Sequence, residues 1–277
     1  MTSPHSIVRF VGLDPRAFFA PLPAPPDTAD ATVALWAGIG PADLDEQREA
    51  VRAEIGDTVD EVLSDPRLAA AAHSLPIRTG QRVVVLGDSI SAEAGSWADL
   101  LAEVLHRLRP GATLLNWSLA GRTTAETVAA LAPVVAHRPD WVITMIGTND
   151  VRRHGVGSGV RMASSSAIAH ARDALRERLH TETAAQLITL TPPPINPATV
   201  AANRSTGVWW ELADIAEAVE AALVDDPTAI DVHATVSTGP DFWGADGIHP
   251  TRTGQRAILT AVLDGFRRPR WPGPPVS

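Results

Sequence analysis

Two short segments carry side chains whose types and spacing suit nucleophilic chemistry. Residues 87–89 read Gly-Asp-Ser, and residues 246–250 read Asp-Gly-Ile-His-Pro. His249 is the one histidine among nine that has an aspartate three residues upstream. In a turn, Asp246 at that spacing can reach Nδ1 of the imidazole and fix its tautomer, so that Nε2 faces a nucleophile. The hydroxyl of Ser89 becomes such a nucleophile when a base removes its proton.

Two further segments offer hydrogen-bond donors. Gly121 follows an apolar run, and a glycine lets a backbone N–H approach a ligand closely. Residues 147–150 read Gly-Thr-Asn-Asp, in which Asn149 supplies a side-chain N–H₂ donor. Taken singly, each segment is equally typical of an ordinary turn or helix cap. Asp88 and Asp150 suit that structural role, since aspartates hydrogen-bond the backbone of turns.

The elements that must position these residues alternate between strand and helix from residue 81 onward. Short apolar, β-branched runs separate alanine-rich stretches, and their continuous apolar character is typical of buried parallel strands. The predicted strands are 82–86, 112–115, 140–146, 186–190 and 229–232. The predicted helices are 97–107, 124–136, 163–180, 208–224 and 254–266. Ligands of such a doubly wound sheet bind beyond the carboxyl ends of its strands, which is where the candidate side chains lie.

The first 80 residues have a different pattern. Four prolines between positions 21 and 26 predict an extended crossing or linker, since proline does not fit inside a helix or a central strand. A helix is predicted after Pro41, with carboxylates in its first turn, and a second short helix from Asp65 to about residue 72. We therefore expect a main domain at 81–277 and an extension at 1–80 that packs on it.

Composition excludes several kinds of chemistry. The chain has 277 residues, of which 45% are hydrophobic and 20% charged, as in a globular protein. It has 23 basic residues, all of them arginine, against 32 acidic residues, which gives a net charge of −9. Without cysteine, lysine or tyrosine it has no disulfide, thiolate metal site, cysteine nucleophile or lysine Schiff base.

Partners and location are predicted from the same composition. The arginines are scattered, so there is no basic stripe to indicate nucleic-acid binding. The amino terminus lacks the basic start and apolar run of a secretory signal, and the apolar runs fall well short of the roughly 20 residues that span a bilayer. We expect a cytoplasmic protein with no membrane segment. Nothing in the sequence indicates an oligomeric state.

Taken together, the four segments resemble the sequence blocks of the SGNH hydrolases, also called the GDSL esterase/lipase family. Residues 87–89, Gly121, residues 147–150 and residues 246–250 stand in the family order and at plausible spacing. The resemblance extends over 82–266, with isoleucine in place of the leucine that follows the family's serine. It implies an α/β, three-layer flavodoxin-like fold with a five-stranded parallel sheet, which agrees with the strands predicted above.

The resemblance also implies a role for each residue. Ser89 is the expected nucleophile, His249 the general base and acid, and Asp246 its orienting partner. The expected oxyanion hole consists of the backbone N–H groups of Ser89 and Gly121 and the side chain of Asn149. The implied reaction is cleavage of carboxylic O-acyl esters of small molecules through an acyl-enzyme, as by an esterase or lipase, with no cofactor and no metal.

Two other functions stay open from the residues alone. One is a metal-dependent phosphoesterase, for which the N and O ligands of a divalent cation would be Asp88, Asn149, Asp150, Asp246 and His249. The other is a catalytically silent binding module on the same scaffold. Inhibition by a fluorophosphonate but not by a chelator would favour the serine hydrolase.

Tryptophans and arginines near these segments are candidates for substrate contact. Trp117 and Trp243 are predicted pocket residues, and Trp243 comes first because it lies three residues before Asp246. Packing in the core is the alternative for both tryptophans. Arg152 and Arg153 follow the Asn149 segment and would suit an anionic substrate, but we expect them to be solvated surface charges.

Overall fold

The computed structural model describes residue 9 and residues 26–155, 159–202, 207–226 and 228–267. Its strands are β1 (Arg82–Gly87), β2 (Thr113–Asn116), β3 (Trp141–Met145), β4 (Arg153–His154), β5 (Val160–Arg161), β6 (Gln186–Leu190) and β7 (Val208–Trp209). Its helices are α1 (Pro26–Ala37), α2 (Pro41–Ser64), α3 (Pro66–His73), α4 (Ser89–Ala92), α5 (Trp97–Leu108), α6 (Thr124–Ala129), α7 (Ala132–His137), α8 (Ser165–Glu182), α9 (Pro197–Ala202), α10 (Leu212–Asp225), α11 (Val232–Thr235) and α12 (Arg252–Phe266). Within those ranges, no helix combines the length and the apolar character that a membrane span requires.

A parallel sheet of four strands lies at the centre, in the order β2-β1-β3-β6. Its strand β1 is paired on both sides, with Val85 opposite Asn116 of β2 and Ile143 of β3. Strands β1 and β3 are buried on both faces, which accounts for their continuous apolar sequence. Because all four strands run in the same direction, their carboxyl ends meet at one edge, and the loops that follow them lie there.

Helices cover both faces of this sheet. Val83 and Val85 of β1 pack in a cluster with residues of α2, α3, α5 and α12. Val84 and Leu86 point to the other face and join a cluster with residues of α7 and α8. The alternation of side chains along the strand therefore separates two helical layers, and the molecule has three layers in all.

The prediction of a fifth parallel strand at 229–232 is wrong. Among the described residues of that stretch, only Ile230 pairs with β6. Its N–H donates to Thr189 O at 2.8 Å, and its carbonyl accepts from the Thr191 N–H at 3.1 Å. The next residue, Asp231, already caps α11 by accepting a backbone N–H of that helix. The chain turns into a helix too early for further pairs, so the sheet has four strands rather than five.

Two predicted helices are interrupted in the structure. The stretch 124–136 forms α6 and α7, because Pro133 at the start of α7 has no N–H for a continuous helix and its ring would clash with the preceding turn. The stretch 208–224 begins as strand β7, in which Trp209 pairs with Arg153 of β4. The helix α10 starts only after this strand. In the second case, pairing with a distant segment overrides the local helical pattern.

The helices α2 and α3 pack on the layer that contains α5 and α12. They contact both of those helices, and Val59 and Leu68 are buried in the same apolar cluster. Between α2 and α3, Asp65 caps α3 by accepting the N–H groups of Arg67 and Leu68. Three of the four prolines predicted to form a linker, at positions 21, 23 and 25, lie outside the described residues, and the fourth begins α1.

Candidate active site

Ser89 lies at the carboxyl edge of the sheet, directly after β1. Asp88 caps the short helix α4 there, and its Oδ1 accepts the Ile90 N–H at 3.1 Å. Gly87 is required at this turn, because a Cβ atom would lie 2.9 Å from the backbone oxygen of Met145 on β3. The turn places Ser89 on the first residue of α4, with 9% of its surface exposed. Its hydroxyl is therefore held on well-packed backbone close to the surface.

His249 and Asp246 lie in the loop before α12 and meet Ser89 at the same edge. His249 Nε2 lies 2.8 Å from Ser89 Oγ, and His249 Nδ1 lies 2.5 Å from Asp246 Oδ2. The other carboxylate oxygen, Asp246 Oδ1, accepts the N–H groups of Ile248 and His249, both at 2.9 Å. The three side chains thus form one continuous chain of hydrogen bonds, and its carboxylate end is fixed by the backbone.

The pKa of Asp246 differs from those of the other carboxylates around the site. Burial alone would raise it, but the hydrogen bonds to Asp246 and the charge of His249 lower the pKa to about 2. Burial raises the pKa of Asp88 to about 6, and it also raises the pKa of Asp150. The pKa of Asp246 therefore lies well below those of Asp88 and Asp150, and Asp246 stays ionised beside the imidazole throughout the range in which a histidine titrates.

The pKa of His249 is raised above the ordinary 6.5 of a histidine. Burial of the ring lowers this pKa, but the hydrogen bond with Asp246 and the negative charges of Glu93 and Asp246 outweigh the effect of burial. The neutral ring is the form that can accept the Ser89 proton. The site therefore gains this capacity as the pH rises through the pKa of His249.

Gly121 and Asn149 come together on the loops after β2 and β3. The chain continues from β2 alongside β1, since the Leu119 N–H donates to Gly87 O at 3.1 Å. Gly121 then adopts a positive φ of 78°, a conformation that glycine reaches without steric cost. Asn149 Nδ2 donates to Arg122 O at 3.2 Å, at the residue next to Gly121. This hydrogen bond links the two predicted donor segments.

Two further contacts hold the Asn149 segment. Arg152 Nη1 donates to Asn149 Oδ1 at 3.2 Å, which fixes the oxygen end of the amide. Both carboxylate oxygens of the buried Asp150 accept the Thr124 N–H at 3.1 Å, and one also accepts the Thr124 hydroxyl at 3.1 Å. Asp150 therefore holds the start of α6 against the loop after β3, in the structural role expected of a turn aspartate.

The expectation that Arg152 and Arg153 are solvated surface charges is wrong. Arg153 forms an ion pair with the buried Asp214, with Nε 2.6 Å from Oδ2 and Nη2 3.0 Å from Oδ1. Arg152 is half-buried and donates from Nε to His154 Nε2 at 2.9 Å. Asp214 is 61 residues from Arg153 in the chain, so no local pattern indicated the pair.

The two predicted pocket tryptophans lie in different surroundings. Trp117 is buried in the apolar cluster on the α7 and α8 side of the sheet. Trp243 donates its indole N–H to Pro194 O at 2.8 Å and packs edge-on against Phe242. Both tryptophans therefore have packing roles in the structure, and their contact with substrate stays a prediction.

Sequence reasoning missed two residues beside His249. Glu93 Oε1 lies 3.9 Å from His249 Nε2, and Arg9 Nη2 donates to Glu93 Oε2 at 3.0 Å. Glu93 stands four residues after Ser89. Residues at that spacing lie on the same face of a helix, so the sequence contained a signal that Glu93 lies near Ser89. The contact of Arg9 had no such signal, because 84 residues separate it from Glu93.

The ligand set considered for a divalent cation does not assemble. Within the part of the chain that the structure describes, no group of three or more histidine and carboxylate side chains is placed to hold a metal ion. Asp150 is bonded to Thr124, and Asp246 is bonded to His249.

A model of the GDSL-like lipase/acylhydrolase family matches residues 85–257, more than half of the chain. The chain belongs to this family. The matched region contains Ser89, Gly121, Asn149, Asp246 and His249, so the resemblance noted in the sequence is confirmed.

This GDSL-like protein has relatives in sequence and in structure. It is 34% identical to an arylesterase from Vibrio mimicus over 79 residues, which span 26% of this chain and only 40% of that protein. Its structure is similar to that of a lipase/acylhydrolase from Enterococcus faecalis, with a TM-score of 0.53 and 22% identity, covering 66% of this chain and 94% of the other.

A second structural relative is Axe2, an acetylxylan esterase from Geobacillus stearothermophilus. The TM-score is 0.54 and the identity 18%, covering 70% of this chain and 97% of Axe2. Catalytic mutants of Axe2 replace a serine, an aspartate and a histidine, and that aspartate precedes the histidine by three residues. At such identities the two solved structures establish that this GDSL-like protein shares their fold.

Proposed function

We propose that this GDSL-like protein hydrolyses carboxylic O-acyl esters of small molecules through an acyl-enzyme on Ser89. The observation that carries the proposal is the chain of hydrogen bonds from Asp246 through His249 to Ser89 Oγ. A serine hydroxyl is a weak nucleophile until a base removes its proton, and His249 Nε2 is in place to do so. Family membership and the matching Asp–His spacing of Axe2 support this assignment.

Each step of the proposed reaction uses the same histidine nitrogen. Ser89 Oγ attacks the carbonyl carbon while its proton passes to His249 Nε2, and His249 then gives that proton to the leaving alcohol. A water molecule then attacks the acyl carbon on Ser89 while its proton passes to His249 Nε2, and His249 gives that proton to Ser89 Oγ as the carboxylic acid leaves. Asp246 stays ionised throughout because its pKa is about 2, and it stabilises the imidazolium that forms in both steps.

The proposed oxyanion hole consists of the N–H groups of Ser89 and Gly121 and the Nδ2 group of Asn149. Asn149 Nδ2 carries two hydrogens, of which Arg122 O accepts one, so the second is able to meet the developing oxyanion. Arg152 holds the oxygen end of the amide, which keeps this orientation. Donors fixed in advance count most where charge develops during the reaction.

Labelling with a fluorophosphonate tests the proposed function directly. The reagent should form one covalent adduct, which mass spectrometry of the digested protein should locate on Ser89, and ester hydrolysis should stop as labelling proceeds. Treatment with a chelator should leave hydrolysis unchanged. Heat-unfolded protein is the control, because the unfolded chain no longer holds Ser89 beside His249. Hydrolysis that resists the fluorophosphonate but is abolished by the chelator would contradict the proposal.

Replacing Asn149 by alanine should slow acylation. Removal of one oxyanion donor typically costs on the order of 100- to 1,000-fold in rate, and we expect a loss of that size in the burst phase with p-nitrophenyl acetate. Asn149→Asp is the matched variant, since it keeps the shape but replaces the donor by an acceptor, and its rate should be lower still. A burst rate unchanged in Asn149→Ala would remove this residue from the oxyanion hole.

The rate of hydrolysis should follow the ionisation of His249. Because the pKa of His249 is raised, kcat/KM should increase with pH along a single ionisation with a midpoint above 6.5 and then reach a plateau. Steady-state kinetics with an ester whose leaving group does not titrate in this range measures the midpoint. A profile that is flat from pH 5 to about pH 8 would count against His249 as the base.

We also propose that residues 81–277 form the catalytic domain and that residues 1–80 are an extension packed on it. The support is the apolar cluster that α2 and α3 share with α5 and α12. The proposed catalytic groups, from Ser89 to His249, all lie in the first of these parts.

A further inference from the structure

A second buried carboxylate, Glu93, lies beside the ring nitrogen of His249 that faces Ser89. Its Oε1 is 3.9 Å from His249 Nε2, and only 4% of the Glu93 side chain is exposed. The backbone N–H of Glu93 donates to Ser89 O at 3.0 Å, which fixes it one helical turn after the serine. Oε1 accepts no hydrogen bond from any residue that the structure describes. The carboxylate of Glu93 has no role in the proposed reaction, although it lies next to the reacting nitrogen of His249.

Arg9, from the proposed extension, makes three contacts around Glu93. Its Nη2 donates to Glu93 Oε2 at 3.0 Å and to Pro250 O at 3.2 Å, and its backbone oxygen accepts the Ala94 N–H at 2.9 Å. Ala94 belongs to the loop that follows Ser89, whereas Pro250 directly follows His249. Arg9 therefore connects the two loops that carry the proposed nucleophile and base.

Several charged groups act on His249 and Glu93 together. His249 faces the carboxylates of Asp246, Glu93 and Asp88, and the cation of Arg9. Burial raises the pKa of Glu93, while the charges of His249 and Arg9 and the hydrogen bond from Arg9 oppose that rise. Removing Arg9 would thus favour the protonated form of Glu93.

We propose that Glu93 is a positioning residue that stabilises the imidazolium of His249 from its Nε2 side, and that Arg9 keeps Glu93 ionised and in place. The inference rests on the proposed function, since it assumes that the Ser89 proton moves to His249 Nε2. At 3.9 Å the carboxylate is close enough to favour the charged ring, as an opposite charge within about 4–6 Å does. The extension thereby takes part in the chemistry through Arg9.

Substitution of Glu93 by glutamine tests the inference through the pH–rate profile. Loss of the charge should lower the apparent pKa of the acid limb of kcat/KM by about 1 unit, within the usual effect of a nearby charge. Because one pKa unit corresponds to about tenfold, the plateau should fall about tenfold while the two curves approach each other at low pH. A merely structural defect would lower the whole curve in parallel and leave its midpoint unchanged.

NMR titration of the His249 ring in the wild type and in Glu93→Gln gives a second readout that does not depend on turnover. The signal is assigned by its loss in His249→Gln, and the pKa of the ring should be lower in Glu93→Gln. The matched control is Glu182→Gln, which removes a carboxylate that pairs with Arg178 at the end of α8, just before the amino end of β6. This control should change neither the ring pKa nor the kinetic midpoint.

The contribution of Arg9 is tested in the wild-type protein and in the Glu93→Gln variant. Arg9→Met should lower the plateau of kcat/KM, but by less than the about tenfold of Glu93→Gln, because the Arg9 cation itself lowers the pKa of His249 and its loss partly offsets the protonation of Glu93. In a protein that already carries Glu93→Gln, Arg9→Met should cause no further loss. Arg9→Lys should restore most of the loss, since it keeps the charge. Additive effects of the two substitutions would overturn the assigned role of Arg9, and Arg9→Met remains informative if Glu93→Gln does not fold.

The outcomes separate this inference from the proposed function. If Ser89→Ala abolishes hydrolysis and Glu93→Gln keeps the wild-type midpoint and ring pKa, the inference alone is overturned. If Ser89→Ala retains wild-type hydrolysis, the proposed function fails and the inference fails with it.

Discussion

Replacement of Ser89 by alanine is expected to lower kcat for p-nitrophenyl acetate by at least about 10⁴-fold, because it removes the oxygen that we propose carries the acyl group. The residual rate would come from binding and from the oxyanion donors. The substitution deletes one oxygen, Oγ, whose partner is His249 Nε2 at 2.8 Å, so it should leave the packing of α4 intact. Steady-state kinetics beside a thermal unfolding curve measures both properties.

Ser91→Ala is the matched control on the same short helix. Ser91 is fully buried, and its Oγ accepts the indole N–H of Trp97 at 3.0 Å. Removing that acceptor leaves a buried donor unpaired, which should cost on the order of 1–3 kcal/mol of unfolding free energy and leave kcat within a few-fold of the wild type. Ser89→Ala should therefore lower activity and leave stability unchanged, whereas Ser91→Ala should lower stability and leave activity nearly unchanged. More than about 1% of wild-type kcat in Ser89→Ala would contradict the nucleophile assignment, because triad substitutions cost far more.

The elements that the sequence predicts are those whose formation depends on residues close together in the chain. Four of the five predicted strands form the parallel sheet, and the apolar pattern is strongest in β1 and β3, which are buried on both faces. Ser89 and Asn149 follow β1 and β3, and their place at one edge is predicted because loops after parallel strands meet there. His249 lies in the loop before α12, and the stretch predicted as the strand before it pairs through Ile230 alone, so its place beside Ser89 comes from the structure. The structure adds the distances, such as the 2.8 Å between Ser89 Oγ and His249 Nε2, which no sequence pattern contains.

The features that sequence did not predict depend on contacts between distant residues. Ile230 sits in an apolar run like those of the other strands, but the cap at Asp231 ends its pairing after one residue. The partner of Arg153 is Asp214 on another element, so the residues next to Arg153 in the chain do not indicate the ion pair. Glu93 is a charged residue of a type that is mostly exposed, yet it is buried and paired with Arg9, which lies 84 residues away in the chain.

Asp246→Asn is the second substitution with a very large expected effect. The backbone N–H groups of Ile248 and His249 would still bond Oδ1, so the side chain would keep its place. The atom that faces His249 Nδ1 would then be an N–H₂ donor instead of a carboxylate oxygen. Nδ1 would have to be the unprotonated nitrogen, and Nε2 would carry the hydrogen and be unable to accept the Ser89 proton. We expect kcat to fall about 10⁴-fold, as for a triad with the wrong tautomer.

Asp226→Asn is the control for the loss of a turn carboxylate. Asp226 Oδ1 accepts the Thr228 N–H at 2.9 Å, the same arrangement as Asp246 with Ile248, but it lines a cavity with Gln186 at the amino end of β6. The kcat of Asp226→Asn should equal that of the wild type. Histidine NMR should also show the ring proton of His249 moving from Nδ1 to Nε2 in Asp246→Asn alone. If kcat falls less than about tenfold in Asp246→Asn, the charge and hydrogen bond of Asp246 do not set the tautomer, and His249 must be oriented by other contacts.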